Sequence, residues 1–215
     1  MQKISLEALA FDTIRNQIIR GDHMPGTLLS ENQLASELGM SRTPVRAAIA
    51  LLEKEGLVES FKGRGVLIKE ISFLQFCQIH EIFTSMQVFV LDVAKVRDLF
   101  FNLDALKLCI QQLDTAREAE DYLSYYETTI KCIEIIIQAI ANDQMIQLLR
   151  QYEGIYICRM ITFRKQFPQH KPQWTSVVNG KIYKALLGKD YDRAKEAVLE
   201  NYRNANEQLS LRGLI

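Results

Sequence analysis

The sequence lacks any hydrophobic run long enough to cross a membrane and any clear secretory signal. Its most apolar stretch, residues 130–140, is interrupted by Lys131, Glu134 and Gln138, whereas a spanning helix needs roughly 18 or more apolar residues in succession. The first residues have no charged start followed by an apolar centre. The four cysteines include no Cys-x-x-Cys pair, a usage typical of reduced thiols. We therefore expect a cytoplasmic protein with no membrane partner.

Motifs that carry catalysis are also missing. Gly63 and Gly65 lie at a predicted strand turn and do not precede a helix, so the sequence contains no glycine-rich phosphate loop. A Gly-x-Ser-x-Gly elbow is absent, and none of the three histidines forms a recognisable pair with a cysteine nucleophile. The sequence therefore predicts a protein that is not an enzyme.

An excess of charge of either sign is absent overall, but the charge is unevenly distributed. The 26 basic and 26 acidic residues give a formal net charge of zero. Between residues 39 and 69, however, six basic side chains accompany only three acidic ones. A positive segment in a neutral chain indicates a confined surface for nucleic acid, whose non-specific affinity should be modest and should fall steeply with salt.

Residues 30–69 have the spacing of two short helices followed by two strands. Ser30 is expected to cap the first helix, which ends at Gly39, and Ser41 is expected to cap the second. Pro44 is compatible with the first turn of the second helix, where backbone N–H groups have no intrahelical partner. Four apolar positions of that helix recur at the spacing of one buried face, namely Val45, Ala48, Ile49 and Leu52.

The opposite face of the second helix is polar and basic near its start. Arg42, Thr43 and Arg46 lie on this face, as on a recognition helix that enters a DNA major groove with its N-terminal end. Either arginine could read guanine with two hydrogen bonds. The start of the helix at Ser41 would approach a phosphate.

Two alternating segments, residues 57–61 and 66–69, predict a β-hairpin after this helix. Its basic tip contains Lys62, Gly63 and Arg64, which we expect to contact the DNA backbone or minor groove. With a first helix over residues 6–21, these elements predict a winged helix-turn-helix of three helices and a small hairpin over residues 1–70.

An ordered series of residues between positions 18 and 66 carries a resemblance to a known family. The series comprises the Pro25-Gly26 turn, Leu34-Ala35, the block Ser41-Arg42-Thr43-Pro44-Val45-Arg46, and Leu51, Glu53, Gly56 and Leu57. It resembles the DNA-binding domain of the GntR family of bacterial transcription regulators. The resemblance implies double-stranded DNA as the partner. The arginine with which the family contacts DNA from the preceding helix corresponds to Asn32 here.

After Lys69 the pattern becomes helical throughout, with no strand pattern. The predicted helices cover residues 72–101, 104–118, 122–141, 143–166, 173–187 and 190–211. The sequence therefore predicts a mainly α protein, in which an all-helical bundle of about six helices over residues 71–215 follows the winged domain. This length and helix order is similar to the FCD (fatty-acid-regulator-like) branch of the family, whose helical domain binds an effector and dimerises.

The resemblance to that branch also directs attention to a metal site. Many FCD-type domains hold a divalent metal with an Asp and a His four residues apart and one His on each of the last two helices. Alignment places Thr129, Ile133, Asn179 and Asn201 at these positions. None is a good metal ligand. We therefore expect no metal cofactor here.

Polar residues on otherwise apolar helical stripes indicate a possible cavity. A buried amide without a partner costs about 1–3 kcal/mol, so Asn179 and Asn201 either line a cavity, bond a neighbouring helix or lie at the solvent edge. The predicted pocket suits an apolar or amphipathic organic effector, with Arg159 as a charged anchor. Its residues are Met86, Thr129, Ile133, Tyr156, Arg159, Asn179 and Asn201.

The function predicted from these features is sequence-specific transcription regulation. We expect a repressor that binds a palindromic operator as a homodimer and senses a small organic effector without a metal. Two alternatives stay open. The helical domain could be a dimerisation scaffold with no effector, or it could bind a metal through ligands that the alignment misplaces, such as Cys132 or Glu134.

Overall fold

The computed structural model describes residues 5–169, 171–172 and 174–210, apart from the side chains of residues 206 and 208–210. Within these residues the chain is mainly helical and has one small antiparallel sheet, which confirms the predicted fold class. In chain order the elements are α1 (Leu6–Ile19), β1 (Leu28–Leu29), α2 (Glu31–Glu37), α3 (Arg42–Lys54), β2 (Val58–Phe61), β3 (Gly65–Ile68), α4 (Phe73–Val93), α5 (Leu103–Glu118), α6 (Tyr122–Gln138), α7 (Asp143–Gln166), α8 (Thr175–Leu187) and α9 (Tyr191–Ser210).

The chain forms two compact units. The first comprises Met1–Ser72 and Gly154–Gln166, and the second comprises Phe73–Glu153 and Phe167–Ile215. The long helix α7 therefore contributes its C-terminal half to the first unit. None of the described helices combines the length and apolarity needed to cross a bilayer.

The first unit is built on α1, α2 and α3, whose apolar faces pack together. Ile14 and Ile18 of α1, and Leu34 of α2, are buried with the apolar face of α3. The Ser30 hydroxyl accepts a hydrogen bond from the Asn32 backbone N–H at 3.2 Å, which confirms the predicted cap. Ser41 occupies the cap position of α3, but its side chain makes no capping hydrogen bond, so that part of the prediction is wrong.

The sheet has three strands in the order β1-β3-β2, all antiparallel. Val58 pairs with Ile68 in the hairpin, and Leu29 pairs with Val66 on the other side of β3. The hairpin was expected from alternation at residues 57–61 and 66–69. Strand β1 was not expected, because two residues are too few to show an alternating pattern and its partner lies far along the chain.

The second unit is a helical bundle in which α4 packs against α6 and α9, and α8 against α5 and α9. The helix predicted over residues 72–101 ends at Val93. Beyond Val93 the hydrogen bonds become those of a tighter 3₁₀-type turn, because the backbone N–H groups of Lys95 and Val96 donate to the carbonyls three residues before them. Lys95 also forms an ion pair with Asp192 of α9. This tertiary contact accompanies the end of a helix that the hydrophobic period alone would extend.

The other helices of the second unit lie close to their predicted ranges. The prediction of a helix over 122–141 is too long, because α6 ends at Gln138 and Ala141 has a positive φ of 52°. Helix α8 begins at Thr175, two residues later than expected. The predicted end of the last helix, residue 211, lies outside the described residues. All four cysteines are free thiols, and Cys109, Cys132 and Cys158 are buried.

Gly65, at the start of β3, allows a prediction about the wing. Its φ is +117°, and an added Cβ would lie 2.5 Å from the carbonyl oxygen of Leu29. Gly63 also has a positive φ (+73°), but no atom lies within 4 Å of its hypothetical Cβ. Gly63→Ala should therefore cost only backbone strain, about 1–2 kcal/mol. Gly65→Ala should lower the free energy of unfolding by clearly more, because the clash is with backbone. Urea denaturation of both variants tests this, and equal losses would contradict it.

His80, on α4, allows a prediction about pH. Its ring is buried beside the rings of Phe76 and Tyr202. Burial lowers the pKa of His80 to about 4, so between pH 6.5 and 4 the unfolded chain binds a proton that the folded protein does not. The free energy of unfolding should therefore fall as the pH drops through this window, by at most about 1.4 kcal/mol per pH unit from this residue. His80→Gln should flatten that dependence in urea denaturation at a series of pH values. An unchanged slope in the variant would refute the assignment.

Candidate nucleic-acid interface

The start of α3 projects two arginines from the surface of the first unit. The side chains of Arg42 and Arg46 are 53% and 58% exposed, while Val45, Ala48, Ile49 and Leu52 on the other face are at most 4% exposed. Since an α-helix repeats every 3.6 residues, burial of the second set turns the first set outward. Ser41 and Thr43 are exposed at the same end of the helix.

The far end of α3 is fixed by polar contacts to other elements of the first unit. Arg15 Nε of α1 donates to Glu55 Oε2 at 2.9 Å, just beyond the last turn of α3. The backbone N–H of Ser60, in β2, donates to Glu53 Oε1 at 2.9 Å. The orientation of α3 is therefore tied both to the first helix and to the wing.

The tip of the wing exposes the basic residues predicted there. Lys62, Gly63 and Arg64 are all exposed, and the Arg64 N–H donates to the Phe61 carbonyl at 2.9 Å to close the turn. Gly63 adopts the positive φ that such a tight turn requires.

The wing and the recognition helix line one shallow depression of about 220 Å³. It brings together four of the predicted DNA-binding residues, Arg42, Arg46, Gly63 and Arg64. Ser41, Thr43 and Lys62 belong to the same elements but do not line it. The remaining lining residues are Ser30, Glu31, Asn32, Phe61 and Gly65. The arrangement is a concave surface with three arginines, suited to a polyanion.

Glu31 is the lining residue that sequence reasoning missed. Its Oε2 accepts hydrogen bonds from Arg46 Nε at 2.7 Å and from Arg42 Nη2 at 3.3 Å. The hydrogen bond from Arg46 is the largest cause that holds the pKa of Glu31 below its usual range. In the sequence Glu31 looks like an ordinary acidic residue in the first turn of a helix. Only the folded helix-turn-helix brings it to arginines 11 and 15 positions later.

The residues predicted to line an effector pocket are divided between the two units. Tyr156 and Arg159 belong to the first unit. Tyr156 is buried there. Arg159 is half-buried and lines a cavity of about 90 Å³ together with Met24, Pro25, Glu70, Ile71, Thr162 and Gln166. This lining differs from the pocket predicted from sequence.

The other five predicted pocket residues belong to the second unit. Met86 and Thr129 are buried, and the Thr129 hydroxyl donates to the Tyr125 carbonyl at 2.9 Å. Asn179 is also buried, and its Nδ2 donates to the Thr175 carbonyl at 2.8 Å. Ile133 and Asn201 are half-buried. Because Asn179 bonds its own helix, its amide group has a partner without any ligand. The role of these residues in a pocket stays a prediction.

Over the part of the chain that the structure describes, no group of three or more His, Cys, Asp or Glu side chains is placed to hold a metal ion. The alignment positions Thr129, Asn179 and Asn201 offer only neutral oxygen or nitrogen atoms, and Ile133 offers none.

Comparison with known proteins agrees with this geometry. Residues 7–68 match the family model "Bacterial regulatory proteins, gntR family". The gluconate operon transcriptional repressor of Bacillus subtilis is 28% identical over 206 residues, which cover 91% of this chain and 82% of that protein. The mannosyl-D-glycerate transport/metabolism system repressor MngR of Escherichia coli is 43% identical over 60 residues, 27% of this chain and 25% of that protein.

A solved structure extends the likeness to nearly the whole chain. The transcriptional regulator GntR from Rhodococcus sp. RHA1 superposes with a TM-score of 0.81 at 19% identity and covers 96% of this chain and 98% of its own. At this identity the match establishes the fold. The relatives are transcription regulators and not enzymes. Residues 7–68 form a DNA-binding domain of the GntR family of bacterial regulatory proteins, and the chain is a transcription regulator.

Proposed function

We propose that this regulator is a sequence-specific repressor that binds a palindromic operator as a homodimer. The observation that carries the proposal is the depression in which α3 and the wing present Arg42, Arg46 and Arg64 together. Two relatives are named as repressors, which supports repression as the mode of regulation. Residues 1–70 would act as the DNA-binding domain and residues 71–215 as the effector-binding and dimerisation domain of the FCD type.

The proposed DNA contacts divide between bases and backbone. Arg42, Thr43 and Arg46 enter the major groove with the start of α3, where an arginine can donate to both O6 and N7 of guanine. Ser41 lies at the first turn of α3 and approaches a phosphate. Lys62, Gly63 and Arg64 follow the backbone or the adjacent minor groove from the wing. The affinity for DNA then depends mainly on the wing and on the positive electrostatic potential of this surface. The preference for particular bases depends on α3.

A symmetric dimer is proposed because the operator of a helix-turn-helix protein is read by two recognition helices about one DNA turn apart. The second unit offers apolar surface for such an interface. Leu74 and Phe89 of α4 are 67% and 53% exposed. They lie about 60° apart around the helix, so one partner surface could cover both. Burial of such side chains stabilises association.

The proposed signal is an apolar or amphipathic organic molecule bound without a metal in the helical domain. Neutral side chains at Thr129, Ile133, Asn179 and Asn201 support the absence of a metal, since zinc and similar ions favour thiolate, imidazole and carboxylate donors. An effector changes DNA affinity only as far as it binds the two conformations differently. The second candidate is an effector-free dimer, which the internal hydrogen bonds of Thr129 and Asn179 favour.

Arg46→Ala tests the DNA-binding proposal. The operator would first be selected from random duplexes by the unmodified protein, and affinities measured by fluorescence anisotropy. We expect the variant to lose about 1–3 kcal/mol on the operator and to relax base preference at one position in each half-site. Arg193→Ala is the matched control, since Arg193 is an exposed arginine of α9 in the second unit and should leave both properties unchanged. A folded Arg46→Ala variant with unaltered affinity and preference would remove Arg46 from the interface.

Native mass spectrometry of the purified protein, without chelator, tests the dimer and the effector together. We expect the mass of a dimer with a retained organic molecule. A monomer at micromolar concentration would contradict the proposed dimer, and a metal-sized mass would contradict the metal-independent effector. A dimer without adduct, together with no compound that raises the melting temperature in a ligand screen, would support the effector-free alternative.

A further inference from the structure

We propose that Glu31 is a specificity-determining positioning residue, which holds Arg46, and more weakly Arg42, in the orientation that reads the operator. The inference rests on the proposed function of α3 as the recognition helix. It assigns a role to an acidic residue on a surface that must approach the DNA phosphates.

The geometry is that of one acceptor shared by two donors. Glu31 Oε2 accepts from Arg46 Nε at 2.7 Å and from Arg42 Nη2 at 3.3 Å. The first distance is that of a strong charge-assisted hydrogen bond, and the second is at the long limit for one. Glu31 therefore fixes Arg46 firmly and Arg42 loosely.

Without this acceptor both arginines would be free to move. Their side chains are more than half exposed, and among the described residues no other acceptor of either guanidinium is recorded. A free arginine side chain has many rotamers, and ordering it upon DNA binding has an entropic cost. A side chain already held by Glu31 has lost that freedom before DNA arrives, so less is lost on binding.

The atoms that Glu31 occupies also decide what remains for the DNA. Arg46 donates through Nε, which leaves both terminal nitrogens, Nη1 and Nη2, for an acceptor beyond the end of the side chain. Such a pair of donors matches O6 and N7 of guanine. Arg42 uses one N–H of Nη2 for the longer bond to Glu31 and keeps its other four donors, so its guanidinium is held less firmly than that of Arg46. Arg46 is therefore the principal base reader, and Arg42 has a subsidiary role.

The charge of Glu31 distinguishes the proposed positioning role from that of a surface salt bridge with only a structural role. A carboxylate in the DNA-facing depression repels phosphates and lowers non-specific affinity. The hydrogen bond from Arg46 keeps the pKa of Glu31 low, so this charge persists at neutral pH. Removal of the carboxylate should therefore weaken operator binding and strengthen binding to unrelated DNA. An exposed ion pair with only a structural role contributes little and predicts neither change.

The experiment compares Glu31→Ala, Glu31→Gln and a matched control, Glu37→Ala. Glu37 is an exposed residue of the same helix, and its Oε1 accepts from Gln33 Nε2 at 2.8 Å with no recorded contact to the two arginines. Affinity for the selected operator and for a scrambled duplex would be measured over a salt series by fluorescence anisotropy, with a melting temperature for each variant.

We expect Glu31→Ala to bind the operator about 5- to 30-fold more weakly, the range for loss of one side chain's preorganisation. The scrambled duplex should bind more tightly, because the repulsion between the carboxylate and the phosphates is gone, so the specificity ratio falls. Glu31→Gln retains a neutral acceptor for Arg46 Nε and should recover most of the ratio. Glu37→Ala removes the same charge from α2 and should leave the ratio unchanged.

A double variant separates the positioning role from a structural one through the specificity ratio. In the Arg46→Ala background, Glu31→Ala should no longer lower the specificity ratio, because the side chain that it positions is gone. An undiminished effect of Glu31→Ala in that background would overturn the inference. The same holds if Glu31→Ala lowers both affinities together with the melting temperature, or leaves the ratio unchanged. Failure of the unmodified protein to select any operator would instead refute the proposed function.

Discussion

Burial of one face of α3 is the constraint on which the DNA-binding surface depends. Val45, Ala48, Ile49 and Leu52 are removed from water against the rest of the first unit, and this hydrophobic burial fixes the rotation of the helix about its axis. Once that rotation is fixed, Arg42 and Arg46 must point to solvent. The polar contacts of Glu53 and Glu55 then tie the other end of the helix to the wing and to α1.

The wing is tied to α3 through Glu53, and its sheet is completed by β1, a strand that precedes α3 in the sequence. Strand β1 pairs with β3, and the close approach of the Leu29 carbonyl to Gly65 leaves no room for a Cβ there. The sheet therefore holds the basic tip at a defined distance from α3. Because these elements carry only a local excess of positive charge in a chain of zero net charge, recognition should depend on individually positioned hydrogen-bond donors more than on a broad positive potential.

Two buried polar side chains of the second unit, Thr129 and Asn179, have hydrogen-bond partners within their own helices. Thr129 and Asn179 each donate to the carbonyl four residues earlier in their own helices, a bond open to polar side chains inside a helix. An ion pair of Asp92 with Lys195 joins α4 to α9, and an ion pair of Lys95 with Asp192 joins the turn after α4 to α9. A bundle stabilised in this way needs no ligand to satisfy Thr129 and Asn179, so its response to an effector is a question of differential affinity between conformations.

The sequence by itself determined the helices, the winged motif and the outward face of α3. These features follow from residue periodicity, capping and glycine turns, which act over a few neighbouring positions. The pattern of Val45, Ala48, Ile49 and Leu52 sufficed to place Arg42 and Arg46 on the surface. The family resemblance of the same residues was confirmed over residues 7–68.

Only the tertiary structure decided the end of α4 at Val93, the pairing of β1 with β3 and the contacts of Glu31. The strand pairing and the contacts of Glu31 depend on groups distant in sequence, such as Leu67 for Leu28 or Arg46 for Glu31. The end of α4 coincides with a contact between Lys95 and the distant Asp192. A local pattern carries no information about such partners, because the distance between two side chains is set by how the helices pack and not by the residues around either one.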